Sequence, residues 1–301
     1  MKFYRIYIEI TNVCGLACSF CPTKTLPPTM MTPAFFESVI VQAKAYTKEI
    51  ACHVMGDPLT HPHLHVYLEI IHRHGLKAVL TTSGYFLKKQ TDETLFHPAV
   101  KQINISLNSY NKNDSAISLE QYMAPVLALC RKKKEKGYEG FINLRLWNLD
   151  EAMSERDFNA SLFKLLSAQF PLLISLDEVY KTRPRSIRLA SKVLLHFDTY
   201  FEWPSLENPD YGDGTCLGLQ SHIGVLADGR VVPCCLDSEG VITLGNLHET
   251  PLQEILSSQR AVSMVSGFKE GKAVEELCQK CSYKKRFEER SSLQVSSATV
   301  E

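Results

Sequence analysis

The sequence carries no excess charge of either sign: 33 lysines plus arginines stand against 33 aspartates plus glutamates. That balance removes any general electrostatic pull toward nucleic acid or an anionic membrane surface. No apolar run approaches the length needed to span a bilayer. The first residues, Met1-Lys2-Phe3-Tyr4-Arg5-Ile6, break their apolar character with charge, unlike a signal peptide. There is no internal repeat and no low-complexity tract. Together these absences predict a cytoplasmic protein that partners neither membrane nor nucleic acid.

Apolar residues form 45% of the 301, enough for one large domain or one large and one small, and too many for disorder. Ten cysteines in a reducing compartment point to metal or catalysis rather than disulfides. Three of them stand together in Cys14-Gly-Leu-Ala-Cys18-Ser-Phe-Cys21-Pro22, at C-x3-C-x2-C spacing just after an alternating apolar run. What this motif lacks is a fourth cysteine nearby, since Cys52 falls in a different strand. Proteins normally supply four thiolates to a cubane iron–sulfur cluster, so three leave one iron open to another ligand. A structural zinc site prefers C-x2–4-C pairs with two further ligands close by.

Hydrophobic periodicity predicts strands over Phe3–Ile10, Ile50–Met55, Leu76–Thr82, Val100–Leu107 and Phe141–Trp147. Helices are predicted over Pro33–Lys48, Pro62–His74, near Thr91, over Leu119–Lys136 and over Ser154–Phe170. This rhythm implies βαβ units on a parallel sheet, rolled by right-handed crossovers into a full or partial barrel. Chemistry in such barrels gathers at the C-terminal ends of the strands, where the cysteine loop lies. Pro171–Arg188 reads as an irregular connection, Lys192–Trp203 as extended and Pro204–Gly214 as a turn-rich boundary. Beyond it, His222–Cys235 reads as a hairpin turning at Asp228-Gly229, Pro251–Ser266 as one helix, and the serine-rich tail from Ser291 as frayed.

The three-cysteine motif, with Phe20 as the aromatic before the third cysteine, resembles the radical S-adenosylmethionine (SAM, AdoMet) superfamily. The resemblance implies that Cys14, Cys18 and Cys21 hold a [4Fe-4S] cluster whose open iron binds SAM. Reductive cleavage then yields a 5′-deoxyadenosyl radical that abstracts a substrate hydrogen atom. It also implies an electron donor such as flavodoxin or ferredoxin. Met55-Gly56-Asp57-Pro58 resembles the family's Gly-Gly-Glu-Pro motif for the SAM amino group, with Met55 replacing glycine and Asp57 replacing glutamate. Thr81-Thr82-Ser83-Gly84 puts Ser83 at a ribose-contacting position. Ser106 matches a serine that contacts ribose or carboxylate, and Arg145 matches a basic residue that forks onto the carboxylate.

A second set comprises Cys216, Cys234, Cys235, Cys278 and Cys281, the last two as Cys-Gln-Lys-Cys. It resembles the auxiliary-cluster domain called SPASM, or its shortened twitch form. The twitch form implies one auxiliary [4Fe-4S] cluster held by Cys216, Cys234, Cys278 and Cys281, with no iron left open. Adjacent residues of an extended chain point to opposite faces, so one of Cys234 and Cys235 ligates; the family's glycine spacing selects Cys234. A four-cysteine zinc site is the competing reading.

The implied organisation is α/β: a partial (β/α)6 TIM-like barrel over residues 1–203, a small α+β cysteine-rich auxiliary domain over 204–290 and a tail over 291–301. The implied function is radical SAM oxidation of a small-molecule or peptide substrate, with the auxiliary cluster facing the substrate and accepting an electron. The pattern resembles small dehydrogenases and peptide-modifying maturases of that family. The alternatives are a redox-neutral epimerase, mutase or lyase with a structural auxiliary cluster, and a non-enzymatic metal-binding module. No leader-peptide-binding segment precedes the first strand, which weighs against a maturase with its own recognition domain. No catalytic acid or base stands out, and Asp177, Asp198 and Glu202 are unassigned carboxylates. Cys52 and Cys130 read as small buried hydrophobes. His53, His61, His63 and His65 read as loop and surface residues. The run Arg131 to Lys136 reads as the complement of a helix dipole, and Lys284-Lys285-Arg286 as a solvated run balanced by Glu288 and Glu289.

Overall fold

In a computed structural model of the chain, residues 2–23, 25–114, 116–150 and 155–287 are described. In sequence order the elements are β1 (Arg5–Ile8), α1 (Pro33–Ala43), β2 (Glu49–Ala51), α2 (Leu64–Arg73), β3 (Lys77–Thr82), α3 (Asp92–Leu95) and β4 (Val100–Ser106). Then follow α4 (Asn108–Asn111), α5 (Leu119–Glu135), β5 (Phe141–Leu146), α6 (Arg156–Ser167), α7 (Leu176–Thr182), β6 (Ser186–Ala190) and β7 (Val193–Phe197). The last part carries β8 (His222–Val225), β9 (Arg230–Val232), β10 (Gly245–Asn246), α8 (Leu252–Ser257), α9 (Gln259–Lys269) and α10 (Glu276–Gln279).

The chain divides into two compact units. The first gathers the residues up to Val13, Pro22–Gly56 and the chain from Phe201 onward. Its strands run β10-β9-β8-β1-β2. In β1, Ile6 and Ile8 are fully buried on one face while Arg5 and Tyr7 turn to the other, the alternation that makes this stretch a strand. The expected hairpin forms as β8 and β9, and it joins this sheet. β8 lies parallel to β1, with Arg5 opposite His222 and Ile8 opposite Val225. That pairing is absent from the sequence reading, because a parallel neighbour more than 200 residues away leaves no local signal.

The second unit holds Cys14–Cys21 and Asp57–Tyr200, with strands in the order β3-β4-β5-β7-β6. All neighbours are parallel except β6 and β7. On β4 and β5 one face is apolar, with Ile103, Ile105, Ile142, Leu144 and Leu146 buried. The other face carries Asn104, Ser106, Asn143 and Arg145, and Ser106 stands opposite Arg145. The C-terminal ends of β3, β4 and β5 therefore present polar side chains side by side.

Four expectations are corrected. The connection at 171–188 contains α7 and β6 rather than irregular chain, and α7 starts at a capping box between Ser175 and Glu178. The extended stretch from Lys192 ends as β7 at Phe197. The helix expected over Pro251–Ser266 is two helices, α8 and α9. Ser258 breaks it with a non-helical ψ of 150°, while its hydroxyl caps α9 by accepting from Ala261 N. The basic run at 284–286 is not wholly solvated, since Lys284 is buried. Ser154, Glu288, Glu289 and the tail from Ser291 lie outside the described residues. Among the described residues no helix is long and apolar enough to cross a membrane.

Candidate functional site

The cysteine loop occupies residues 14–21 of the second unit. Gly15 has φ +72°, and a Cβ there would lie 2.9 Å from the Phe86 ring, so this turn and its contact both call for glycine. Cys18 is buried, while Cys14 and Cys21 are partly exposed. Cys18 and Cys21 share a hydrogen bond, and Cys21 N donates to Cys18 O at 3.0 Å. That contact, with hydrogen bonds from Asn113 and Ser109, pulls the Cys18 thiol down to about 6. Asn113 Nδ2 reaches Cys18 Sγ at 2.8 Å. Phe20 packs 6.0 Å from the ring of Tyr200, whose hydroxyl donates to Glu155 Oε2 at 3.1 Å and accepts from Asn108 at 3.1 Å. Burial, then the neighbouring Glu155 carboxylate, raise the Tyr200 pKa. This network beside the cysteine loop was missed in the sequence, where its members lie scattered and without a motif.

Asp57 is the most constrained of the expected SAM-site residues. It is 2% exposed, and its carboxylate accepts from Leu59 N at 3.0 Å, Thr82 Oγ1 at 2.9 Å, Ser83 N at 2.8 Å and Ser83 Oγ at 2.8 Å. Burial pushes its pKa up, and these bonds oppose that push. The side chain is thus engaged in fixing the end of β3, while Pro58 opens a short 3-10 turn behind it. Ser83 and Ser106 are drawn together by Tyr122 of α5. Its hydroxyl donates to Ser83 O at 2.7 Å and lies 3.5 Å from Ser106 O. Tyr122 escaped the sequence reading because on an amphipathic helix it reads as core. The Arg145 guanidinium stacks 4.9 Å above the Trp147 ring, and Trp147 Nε1 donates to His196 Nδ1 at 3.2 Å.

Gly56 belongs to the first unit. A Cβ on it would lie 1.9 Å from the Thr11 carbonyl oxygen, so only glycine allows the loop after β2 to lie against the chain leaving β1. Glu9, buried at the end of that chain, accepts from Met55 N at 2.8 Å and Ala227 N at 3.3 Å.

The second cysteine set is also in the first unit. Burial raises the Cys216, Cys234, Cys278 and Cys281 thiols. They also feel one another: Cys216 feels Cys281, Cys234 feels Cys235 and then Cys216 and Cys278, and Cys278 feels Cys216 and Cys281. Four thiols gathered out of water, each harder to ionise beside the others, fit a cationic metal centre that would hold them as thiolates. Tetrahedral zinc at a Zn–S distance of about 2.3 Å would set its sulfurs about 3.8 Å apart. Among the described residues no three cysteine sulfurs lie within 4.8 Å of one another. Lys284 completes this site. Its ammonium donates to the carbonyls of Cys278 at 2.8 Å, Gln279 at 2.9 Å and Cys281 at 3.3 Å.

Cys52 and Cys130 are buried, and burial pushes both thiols up to about 12. His61 is buried against Tyr67 rather than on the surface. His65, Glu69 and His97 bring possible ligand atoms within 4.8 Å of one another. Yet His97 Nδ1 accepts from Ala99 N at 3.1 Å, which leaves the ring proton on Nε2, donated to Glu69 at 2.9 Å. That nitrogen is not open to a metal. Glu202 accepts from Tyr211 and Asp198 from Thr199 N.

A family model for the radical SAM superfamily matches residues 8–149, and one for the SPASM iron–sulfur cluster-binding domain matches residues 216–282. The chain is a member of the radical SAM superfamily with a SPASM domain, a class of enzyme that works with a [4Fe-4S] cluster, SAM and auxiliary iron–sulfur. It is similar to the crystal structure of BtrN in complex with AdoMet and 2-DOIA, at 16% identity, covering 94% of each chain with a TM-score of 0.57. It is similar to Streptococcus suis SuiB bound to precursor peptide SuiA, at 14% identity over 95% of this chain and 73% of that one, TM-score 0.58. A third likeness is to anSMEcpe with bound AdoMet, at 15% identity over 93% and 86%, TM-score 0.57. These likenesses show the fold, the TIM-like α/β barrel of radical SAM enzymes. No curated protein sequence matches the chain.

Proposed function

We propose that this is a cytoplasmic radical SAM oxidoreductase acting on a small molecule or a peptide. Cys14, Cys18 and Cys21 hold the SAM-binding cluster; Phe20, Gly56, Asp57, Pro58, Ser83, Ser106 and Arg145 shape the SAM site. Cys216, Cys234, Cys278 and Cys281 hold one auxiliary [4Fe-4S] cluster. Residues 1–203 supply the SAM half and 204–290 the auxiliary half. When bound, cluster and SAM supply a 5′-deoxyadenosyl radical that takes a hydrogen atom from substrate.

The chain's own residues prepare that site. Asp57 and Tyr122 hold Ser83 at the strand ends, and Arg145 offers a planar cation suited to a carboxylate. The observation that supports the oxidative reading is the second set of buried, mutually interacting thiols; four cysteine ligands to one cubane would leave no open coordination position for a substrate. Such a centre suits electron acceptance. The structural relatives widen the substrate range: the BtrN structure holds 2-DOIA, and the SuiB and anSMEcpe structures hold peptides.

Anaerobic reconstitution tests the reading. The expected result is iron and sulfide for two cubanes and 5′-deoxyadenosine on reduction with SAM, with net oxidation of a deuterated substrate. Zinc without iron, and no 5′-deoxyadenosine, would overturn the enzyme. SAM regenerated at each turnover would select redox-neutral chemistry. Flavodoxin or ferredoxin is the expected electron donor.

A further inference from the structure

Residues 109–113, between β4 and α5, hold the cysteine loop at three consecutive positions. Ala17 N donates to Asn113 Oδ1 at 3.0 Å, Cys18 Sγ receives Asn113 Nδ2 at 2.8 Å, and Ser19 N donates to Lys112 O at 2.9 Å. Asn113 Nδ2 also donates to Ser109 O at 2.6 Å. The two main-chain partners settle which way the amide faces. Ala17 N–H can only donate and Ser109 O can only accept, so the oxygen points at Ala17 and the NH2 at Ser109 O and the sulfur. The side chain of Ser109 bonds the same sulfur.

Resting on the assignment of Cys14, Cys18 and Cys21 as cluster ligands, we infer that Asn113 and Ser109 are positioning residues that donate two hydrogen bonds to the Cys18 thiolate and so set the reduction potential and retention of the SAM-binding cluster. Hydrogen bonds to a sulfur ligand stabilise the more negative, reduced state and raise the potential. The same amide, through Ala17 N–H, holds the loop that carries the sulfur. Donor and loop are therefore fixed together.

The test uses the full chain reconstituted anaerobically, as wild type and as Asn113→Asp, Asn113→Ala and Ser109→Ala. Asn113→Asp keeps the acceptor for Ala17 N–H but turns an oxygen, not a donor, toward the sulfur. Ser109→Ala leaves every main-chain contact in place, so it carries the test if the Asn113 variants fold poorly. The readout is the midpoint potential of the electron paramagnetic resonance signal that changes when AdoMet is added, which separates this cluster from the auxiliary one. The potential falls in Ser109→Ala and falls further in Asn113→Asp. Iron loss to a chelator in Asn113→Ala quickens by about 2- to 10-fold, the range one hydrogen bond supplies. Unchanged potentials in both Ser109→Ala and Asn113→Asp, on a fully loaded cluster, overturn the inference alone. A Cys14→Ala/Cys18→Ala/Cys21→Ala variant that keeps the wild-type iron content overturns the ligand assignment beneath it.

Discussion

Asp57 and Ser83 meet at two points. Asp57 Oδ2 lies 2.8 Å from the Ser83 nitrogen and 2.8 Å from its hydroxyl. The carboxylate where the family motif carries glutamate is thus spent on the neighbouring strand end, and under the proposed function it acts on SAM only through the residue it positions. Asp57→Asn would set an NH2 against either Ser83 N–H or Leu59 N–H, two donors face to face, because each carboxylate oxygen accepts from one of them. The expected loss is about 1–3 kcal/mol of stability, with SAM binding weakened by about 10-fold or more, since a buried donor is left without an acceptor. Calorimetric SAM titration beside thermal unfolding checks it; unchanged affinity would show that Ser83 needs no such support.

Gly56 gives a sharper outcome. An added methyl would sit 1.9 Å from Thr11 O, 2.7 Å from Thr11 C and 2.9 Å from Asn12 Cα, all backbone atoms with nowhere to go. Gly56→Ala is expected to cost more than about 3 kcal/mol, in the upper range for single substitutions. Chemical denaturation measures it. A cost under about 1 kcal/mol would mean that the loop after β2 shifts freely away from β1.

The order of strands and helices through the first half was legible because each element writes its own period into adjacent residues. Val100–Ser106 and Leu119–Glu135 fall within a residue of expectation. Long-range partners were not legible. Nothing near His222 says that β8 lies along β1, and nothing in Lys284-Lys285-Arg286 says that the first of the three turns inward onto three carbonyls. Ser175-Leu-Asp-Glu178 did carry the capping-box signal of α7, overridden by the weak periodicity around it. Both cysteine sets were legible from spacing, whereas Asn113, Tyr122 and Glu155 act through contacts that no local pattern encodes.

His222 makes stability depend on pH. It stands opposite Arg5 in the β8–β1 register, with Ser221 Oγ 2.9 Å from its Nδ1 and the Tyr7 ring edge-on at 5.8 Å. Burial, then the Arg5 charge, lower its pKa from 6.5 to about 4. The unfolded chain therefore binds the proton more tightly than the folded one between these values. The contribution is fully present above pH 6.5 and is lost as pH falls toward 4, amounting to at most about 3 kcal/mol. Denaturation midpoints across this window should rise with pH, and His222→Gln should flatten that rise. An equal slope in the variant would place the titration elsewhere.

Lys284 is expected to support the auxiliary site through charge and hydrogen bonds together. Its positive charge favours the thiolates of Cys216 and Cys281, while its ammonium satisfies the carbonyls of the turn that carries Cys278 and Cys281. Lys284→Met keeps the length and removes both effects. Stability should fall by about 2–4 kcal/mol, and auxiliary iron should be lost first. Lys284→Arg should not restore it, because a planar fork does not reproduce three donors converging from one nitrogen. Iron release monitored in the presence of a chelator reports the order of loss.

Cys234 and Cys235 follow β9, and each offers a thiol at the same point of the chain. Cys234 feels Cys235 first and then Cys216 and Cys278, and a Cβ at Gly218 would lie 3.6 Å from Cys234 Cβ and 3.7 Å from Cys216 Sγ. That contact with Cys216 supports Cys234 as the proposed ligand. Cys234→Ala should lower the iron content by about four per chain, one cubane, while leaving the signal that responds to AdoMet. Cys235→Ala should retain all of it. The reverse pattern would exchange the two assignments, and a loss in both variants would mean that the adjacent thiols serve the cluster jointly.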